Sequence, residues 1–190
     1  MGRDKLSLPF GGETMLARVL RTVRQVAPDV VLVAREGQAL PATGLEAVRD
    51  PAEGLGPLAA IAVGLSSLHT DRAIVVACDM PLLRPAMLRR LLDLAEGRDA
   101  CVPVLDGFAI PTCAVYRREL ATLASELVAA RQLSPAALLE RVNARYVDAA
   151  DLRDVDPALE SFRDCNTPER YFEALRLAGL EASSEHDFRR

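Results

Sequence analysis

The sequence predicts a three-layer α/β domain, with helices on both faces of a mostly parallel sheet. Three observations carry that expectation. Short valine-rich runs, "DVVLVA" at Asp29–Ala34 and "AIVVACDM" at Ala73–Met80, lack the alternation of a half-solvated strand, so their sheet is covered on both faces. Helical stretches separate such runs, the βα alternation that winds a parallel sheet. Half the residues are apolar but only 4% are aromatic, with no Trp, so Ala, Leu and Val pack the helices onto it.

The elements follow in order. Apolar residues at Met15, Leu16, Val19, Leu20, Val23 and Val26 make a helical stripe over Glu13–Val26, which Pro28 ends. "DVVLVA" is the first strand, and "LEAVRD", ending at Asp50, is a weaker second. After the turn-rich "PAEGLGP", the charge-poor run Leu58–Leu68 is a largely buried helix. "AIVVACDM" is the clearest strand. Pro85 starts the next helix, "AMLRRLLDLAE", and Gly97 closes it. Strands at Ala100–Val104 and Thr112–Tyr116 come next, then helices near Arg118–Ala130 and Pro135–Val142 and a short strand, "ARYVD". The final helix begins after "NTPE", with Thr167 as N-cap, Pro168 at its first position and Glu169 in its first turn. Residues 1–180 read as one domain and 181–190 as a polar tail.

Composition excludes several classes. A net charge of −4 offers no basic patch for nucleic acid. No apolar run approaches the ~20 residues that span a bilayer, so no membrane is involved and the protein is expected in the cytoplasm. Cys78, Cys101, Cys113 and Cys165 form no CxxC, and read as reduced core residues rather than a zinc site. His69 and His186 read as surface residues. There is no GxxxxGK[ST], GxGxxG or GxSxG, which argues against an ordinary NTPase, a dinucleotide-binding dehydrogenase and a serine hydrolase.

In such sheets, ligands bind beyond the carboxyl ends of strands. Asp79 stands there, directly after "AIVVAC". It either caps a turn or holds Mg²⁺, which takes one or two carboxylates plus substrate phosphates. Asp50 ends the second strand and supplies another carboxylate, just before a Gly/Pro loop whose N–H groups at a helix start favour anions. Lys5 is either a solvated charge near the terminus or the group that neutralises phosphate as pyrophosphate departs. Together these residues suggest a polyphosphate and a divalent cation.

Taken in order, "MGRDK", "RDPAEGLGPLAAI", "VVACDMPLL", "IPTCAVYRREL" and "DCNTPERY" resemble the molybdenum cofactor guanylyltransferases, nucleotidyltransferases with a Rossmann-like sheet. The resemblance runs from Met1 to about Leu175, and "CDMPLL" with "GPLAAI" is its most specific part. It implies transfer of GMP from Mg-GTP to the terminal phosphate of molybdopterin, with loss of pyrophosphate. Lys5 would bind the GTP phosphates, Asp79 would hold Mg²⁺ and nucleotide, and Asp50 would contact GTP. Asn166 and Asp164 would lie on the pterin side, although the family often has Asn where Asp164 stands. Arg131, in "AARQLS", would meet the pterin phosphate, or is a plain surface residue. GTP and molybdopterin are the implied partners, with other cofactor-biosynthesis or molybdoenzyme-maturation proteins beside them. A sister enzyme using CTP or a sugar phosphate, with base choice set partly around Val33–Glu36, is the near alternative; a truncated non-catalytic homologue is the distant one.

In the family, "MGxDK" completes a longer signature, roughly L-A-G-G-x-S-x-R-M-G-x-D-K, that follows a central first strand. This sequence contains only the second part. The expectation is therefore a start assigned too far downstream rather than a real truncation, a sheet lacking a central strand and most of its phosphate loop, low stability, and GTP bound weakly or not at all.

Overall fold

The computed structural model describes residues 5–50 and 56–180. The "MGRD" residues, the "PAEGL" part of the loop after Asp50 and the polar tail from Glu181 lie outside them.

A short hairpin, β1 (Pro9–Phe10) and β2 (Glu13–Thr14), turns on Gly11 and Gly12, both at positive φ. Then come α1 (Met15–Val23), β3 (Leu32–Arg35), β4 (Ala47–Asp50) and α2 (Gly56–Ser66). They are followed by β5 (Arg72–Val76), α3 (Pro85–Leu94), β6 (Ala100–Leu105), β7 (Phe108–Ala109) and β8 (Cys113–Arg117). Last are α4 (Leu120–Ala129), α5 (Pro135–Leu139), β9 (Ala144–Asp148) and α6 (Pro168–Leu177). Every helix and strand read from the sequence has a counterpart, with ends shifted by a few residues; the two small hairpins were not read.

The α/β class is as expected, and the strand pairing is mixed. β3 and β4 are parallel, as are β6 and β9, whereas β8 lies antiparallel between β5 and β6. The reason is chain length. Parallel neighbours need a crossover of a dozen or more residues, usually helical, but β6 and β8 are joined by a short connection containing β7. The Asp106–Gly107 turn sends the chain straight back.

The strands differ in how fully they are enclosed. β6 and β8 are almost wholly buried, with Cys101, Val102, Ala114 and Tyr116 at the centre of the core. β5, the clearest strand in the sequence, is only half-buried along most of its length. One of its edges pairs with β8; among the described residues no strand pairs with the other. β3 has an unpaired edge too, because β4 is its one partner among them. Two helices bridge these strands. α1 packs Leu16 and Leu20 with Leu32 of β3, and Val19 and Val23 with Ile74 and Val76 of β5. α2 packs Leu58, Ile61 and Leu65 with Ala73 and Val75, and its Gly64 lies against Val33 of β3.

Two caps fix the helices nearest the strand ends. Thr14 accepts from the Ala17 N–H at 3.2 Å, and Thr167 accepts from the Arg170 N–H at 3.3 Å with Pro168 next in line. No helix of the described residues is long and apolar enough to cross a membrane.

Candidate functional site

The strand β5 ends at Val76, and the next residues turn toward the start of α3, which leaves Asp79 on a bend. Its backbone carbonyl accepts from the Cys165 N–H at 2.9 Å, which docks the "DCNT" segment beside it. That segment is anchored from behind. Asp156, fully buried, accepts from the Ser161 N–H at 2.7 Å and pairs with Arg84 at 3.3 Å, while the Ser161 hydroxyl accepts from the Arg84 N–H. These contacts fix the turn before Asp164 against the start of α3. Residues 86 positions apart in sequence, Asp79 and Cys165, thus form one floor.

Lys5 joins them. Its ammonium lies 3.7 Å from Asp79 Oδ2 and donates to the side-chain oxygen of Asn166. Asp79, Lys5 and Asn166, all identified from the sequence, therefore converge. Asp164 completes the group: Oδ1 accepts from the Asn166 N–H at 3.2 Å and from Arg170 Nη1 at 2.6 Å.

The two carboxylates differ electrostatically. Burial pushes Asp79 above the ordinary carboxylate range; Lys5 opposes the shift and the Asp164 charge adds to it. Burial also acts on Asp164, but hydrogen bonds from Arg170 and the Asn166 N–H outweigh it and leave its pKa lowered. Cys165 behind them is a core thiol, pushed up to about 12 by burial and then by the Asp79 carboxylate.

A cavity of about 450 Å³ opens over this floor, lined by Asp79, Asp164, Asn166 and Thr112 and by apolar Met80, Leu105, Phe108, Ile110 and Phe162. A second cavity, about 390 Å³, shares Leu105, Phe162 and Asp164 and continues toward Arg163 and Arg170. Apolar walls with a few converging polar groups are the usual make-up of a small-molecule site.

Asp50 and Arg131 stand apart from that cavity. Asp50 is buried at the last position of β4, in register with Arg35 of β3. Arg131 is exposed, just past α4, in a left-handed conformation at φ 62°. Sequence reasoning missed Arg170 and Phe108. Arg170 was visible only as part of "NTPER". The "DG" before Phe108 was a hairpin signal that would have put a ring at a turn.

Residues 1–147 match a family model described as the MobA-like NTP transferase domain. A relative from Pelotomaculum thermopropionicum, named a probable molybdenum cofactor guanylyltransferase, is 30% identical, with 94% of this chain and 87% of the relative covered. One of the same name from Mycobacterium ulcerans is 36% identical, covering 84% of each. Among solved structures, molybdopterin-guanine dinucleotide biosynthesis protein A from Archaeoglobus fulgidus is similar at a TM-score of 0.77 and 26% identity, covering 94% of this chain and 92% of that one.

Proposed function

Because this chain belongs to the MobA-like NTP transferase family, we propose that it transfers GMP from GTP to the terminal phosphate of molybdopterin. An oxygen of the acceptor phosphate attacks the α-phosphorus of GTP. The bond from that phosphorus to the bridging oxygen breaks, and pyrophosphate leaves with the electron pair. The observation that carries this reading is the meeting of Lys5, Asp79 and Asn166 at the end of β5, beneath a cavity.

Each residue has a part that suits its chemistry. The Lys5 ammonium neutralises charge on the departing phosphates. Asn166 and Asp164 hold the acceptor, with Arg170 keeping Asp164 ionised and fixed. Asp50, at its own strand end, contacts the nucleotide. Arg131, exposed and outside the cavity, is given no part.

The residues present fit Mg²⁺ through Asp79. The described residues contain no group of three or more His, Cys, Asp or Glu side chains that could hold a metal by themselves. Mg²⁺ needs no such cage, since it keeps waters and takes one or two carboxylates with substrate phosphates. A half-buried carboxylate beside a second negative charge gains from a cation. When bound, the ion would screen the phosphate charge that builds as pyrophosphate leaves. The cytoplasm, where soluble phosphorylated substrates are held, is the compartment of this reading.

The test is incubation with GTP labelled at the α-phosphate, molybdopterin and Mg²⁺, with CTP run in parallel. Label in a dinucleotide product, with stoichiometric pyrophosphate, is expected from GTP. Label from CTP alone, or in no molybdopterin-bearing product, contradicts the reading.

A further inference from the structure

The hairpin over the cavity carries an aromatic ring that packs into no core. Phe108 is 77% exposed, the most exposed of the large hydrophobic side chains among the described residues. It follows the Asp106–Gly107 turn, whose residues are both at positive φ (52° and 83°), and is in register with Leu105 across the hairpin. Positive φ at both central residues is the tight hairpin turn that matches strand twist, so the ring is carried on a defined scaffold. The Ile110 N–H donates to the Pro103 carbonyl at 2.8 Å and secures the returning strand. Phe108 lines the same cavity as Asp79 and Asn166. A single exposed ring is ordinary on a surface, but one that also lines an apolar cavity with a few polar groups offers a face to a flat ligand.

We propose that Phe108 is the platform on which the fused pterin ring of the acceptor stacks, an inference that rests on the guanylyl-transfer reading. The sheet order favours the acceptor over the guanine base. From β5 the order runs through β8 and β6 to β7, so the hairpin stands on the β8 side of Asp79. Lys5 approaches from the other side: its neighbour Leu6 packs with Leu32 of β3 and with Leu16 and Leu20 of α1. Phosphates held by Lys5 and Asp79 would leave the hairpin side of the cavity to the other substrate. A pterin is planar and conjugated with a polar edge. Phe108, Ile110 and Leu105 suit its face, and Asn166, Asp164 and Thr112 suit its edge.

The test uses 6-hydroxymethylpterin as the probe and reads its binding by fluorescence. The sequence has no Trp, so Phe108→Trp places a single indole at the proposed contact. The unsubstituted chain should bind the pterin, Phe108→Trp should retain binding with its indole emission quenched, and Phe108→Ala should bind about tenfold more weakly. Equal binding by Phe108→Ala, an unquenched indole, or no binding by the unsubstituted chain would overturn the proposal. GMP transfer is measured separately. Phe108-dependent pterin binding without transfer would sink the guanylyl-transfer reading and leave the stacking contact standing. Transfer whose KM for molybdopterin ignores Phe108→Ala would do the reverse.

Discussion

Asp79 and Asp164 border one cavity, yet their surroundings set them to different work. Asp164 is partnered by Arg170 and by the Asn166 N–H, and is held ionised. Asp79 is more buried, lies within reach of the Lys5 ammonium at 3.7 Å, and is pushed toward its neutral form by burial and by Asp164. A satisfied carboxylate orients what it touches; an under-compensated one has charge left for an incoming cation. The Asp164 corner is braced by the buried Asp156 network. The Asp79 corner follows β5, whose outer edge is unpaired among the described residues.

The largest effect expected from this contrast is on turnover. Asp79→Asn should cut guanylyl transfer about 100- to 1000-fold, the scale of losing one preorganised electrostatic group, without lowering the melting temperature. Lys5→Ala should cost less, because the metal proposed at Asp79 would still screen the phosphates. Transfer assays with Mg-GTP decide both; a larger loss from Asp164→Asn than from Asp79→Asn would invert the comparison.

A second expected effect concerns the edge of β5 that no strand among the described residues pairs. Placing an apolar strand and glycine loop ahead of Met1, in the pattern of the family signature, should raise the melting temperature and add a shift with Mg-GTP. Each buried backbone group newly paired removes about 1–3 kcal/mol of penalty. One kcal/mol moves a domain of this size by about 2–4 °C. An extension that leaves the melt unchanged would mean that the edges of β3 and β5 gain nothing from a partner strand.

The smallest effect is on pH dependence, where the two carboxylates should act with opposite sign. The folded-state pKa of Asp79 is raised, so its ionisation opposes folding, and the penalty present at neutral pH is relieved as pH falls through that pKa. The folded-state pKa of Asp164 is lowered, so its contribution is full above about pH 4 and disappears in acid. Asp79→Asn should therefore melt at or above the unsubstituted chain at pH 7. Asp164→Asn should melt slightly below it, by ~1 kcal/mol or less because Arg170 is exposed. Both differences should shrink in acid. Melts across pH 3–8 check the signs, and shifts in the same direction would count against them.

Much of this contrast was legible in sequence, and the unread part has definite causes. β8 showed as an apolar run because burial on both faces writes a continuous hydrophobic word, and β5 reads the same way although the described residues leave it half-buried. Pro85 and Gly97 bracketed α3 because each has one favoured place at a helix end. The antiparallel course of β8 was not read, since it depends on a connection too short to cross over. Asp79 could be identified because a charge after an apolar strand is conspicuous. Lys5 was grouped with Asp79 as a charge for the phosphates, but Asn166 came only from the family resemblance, since its contact with Lys5 spans 161 residues and leaves no local spacing. The Asp164–Arg170 pair spans the Thr167 cap, a turn whose geometry no periodicity encodes. The exposure of Phe108 depends on what fails to cover it, which composition does not record.

On the proposed reading, the cation belongs to Asp79 and not to Asp164. Mn²⁺ in place of Mg²⁺ tests it directly, because paramagnetic broadening of amide resonances locates even a weakly held ion. With GTP present, substoichiometric Mn²⁺ should first broaden the amides of Cys78, Asp79 and Met80; Asp79→Asn should abolish that broadening, and Asp164→Asn should preserve it. Broadening that begins at Asp164 and Arg170, or that survives Asp79→Asn unchanged, would place the ion elsewhere.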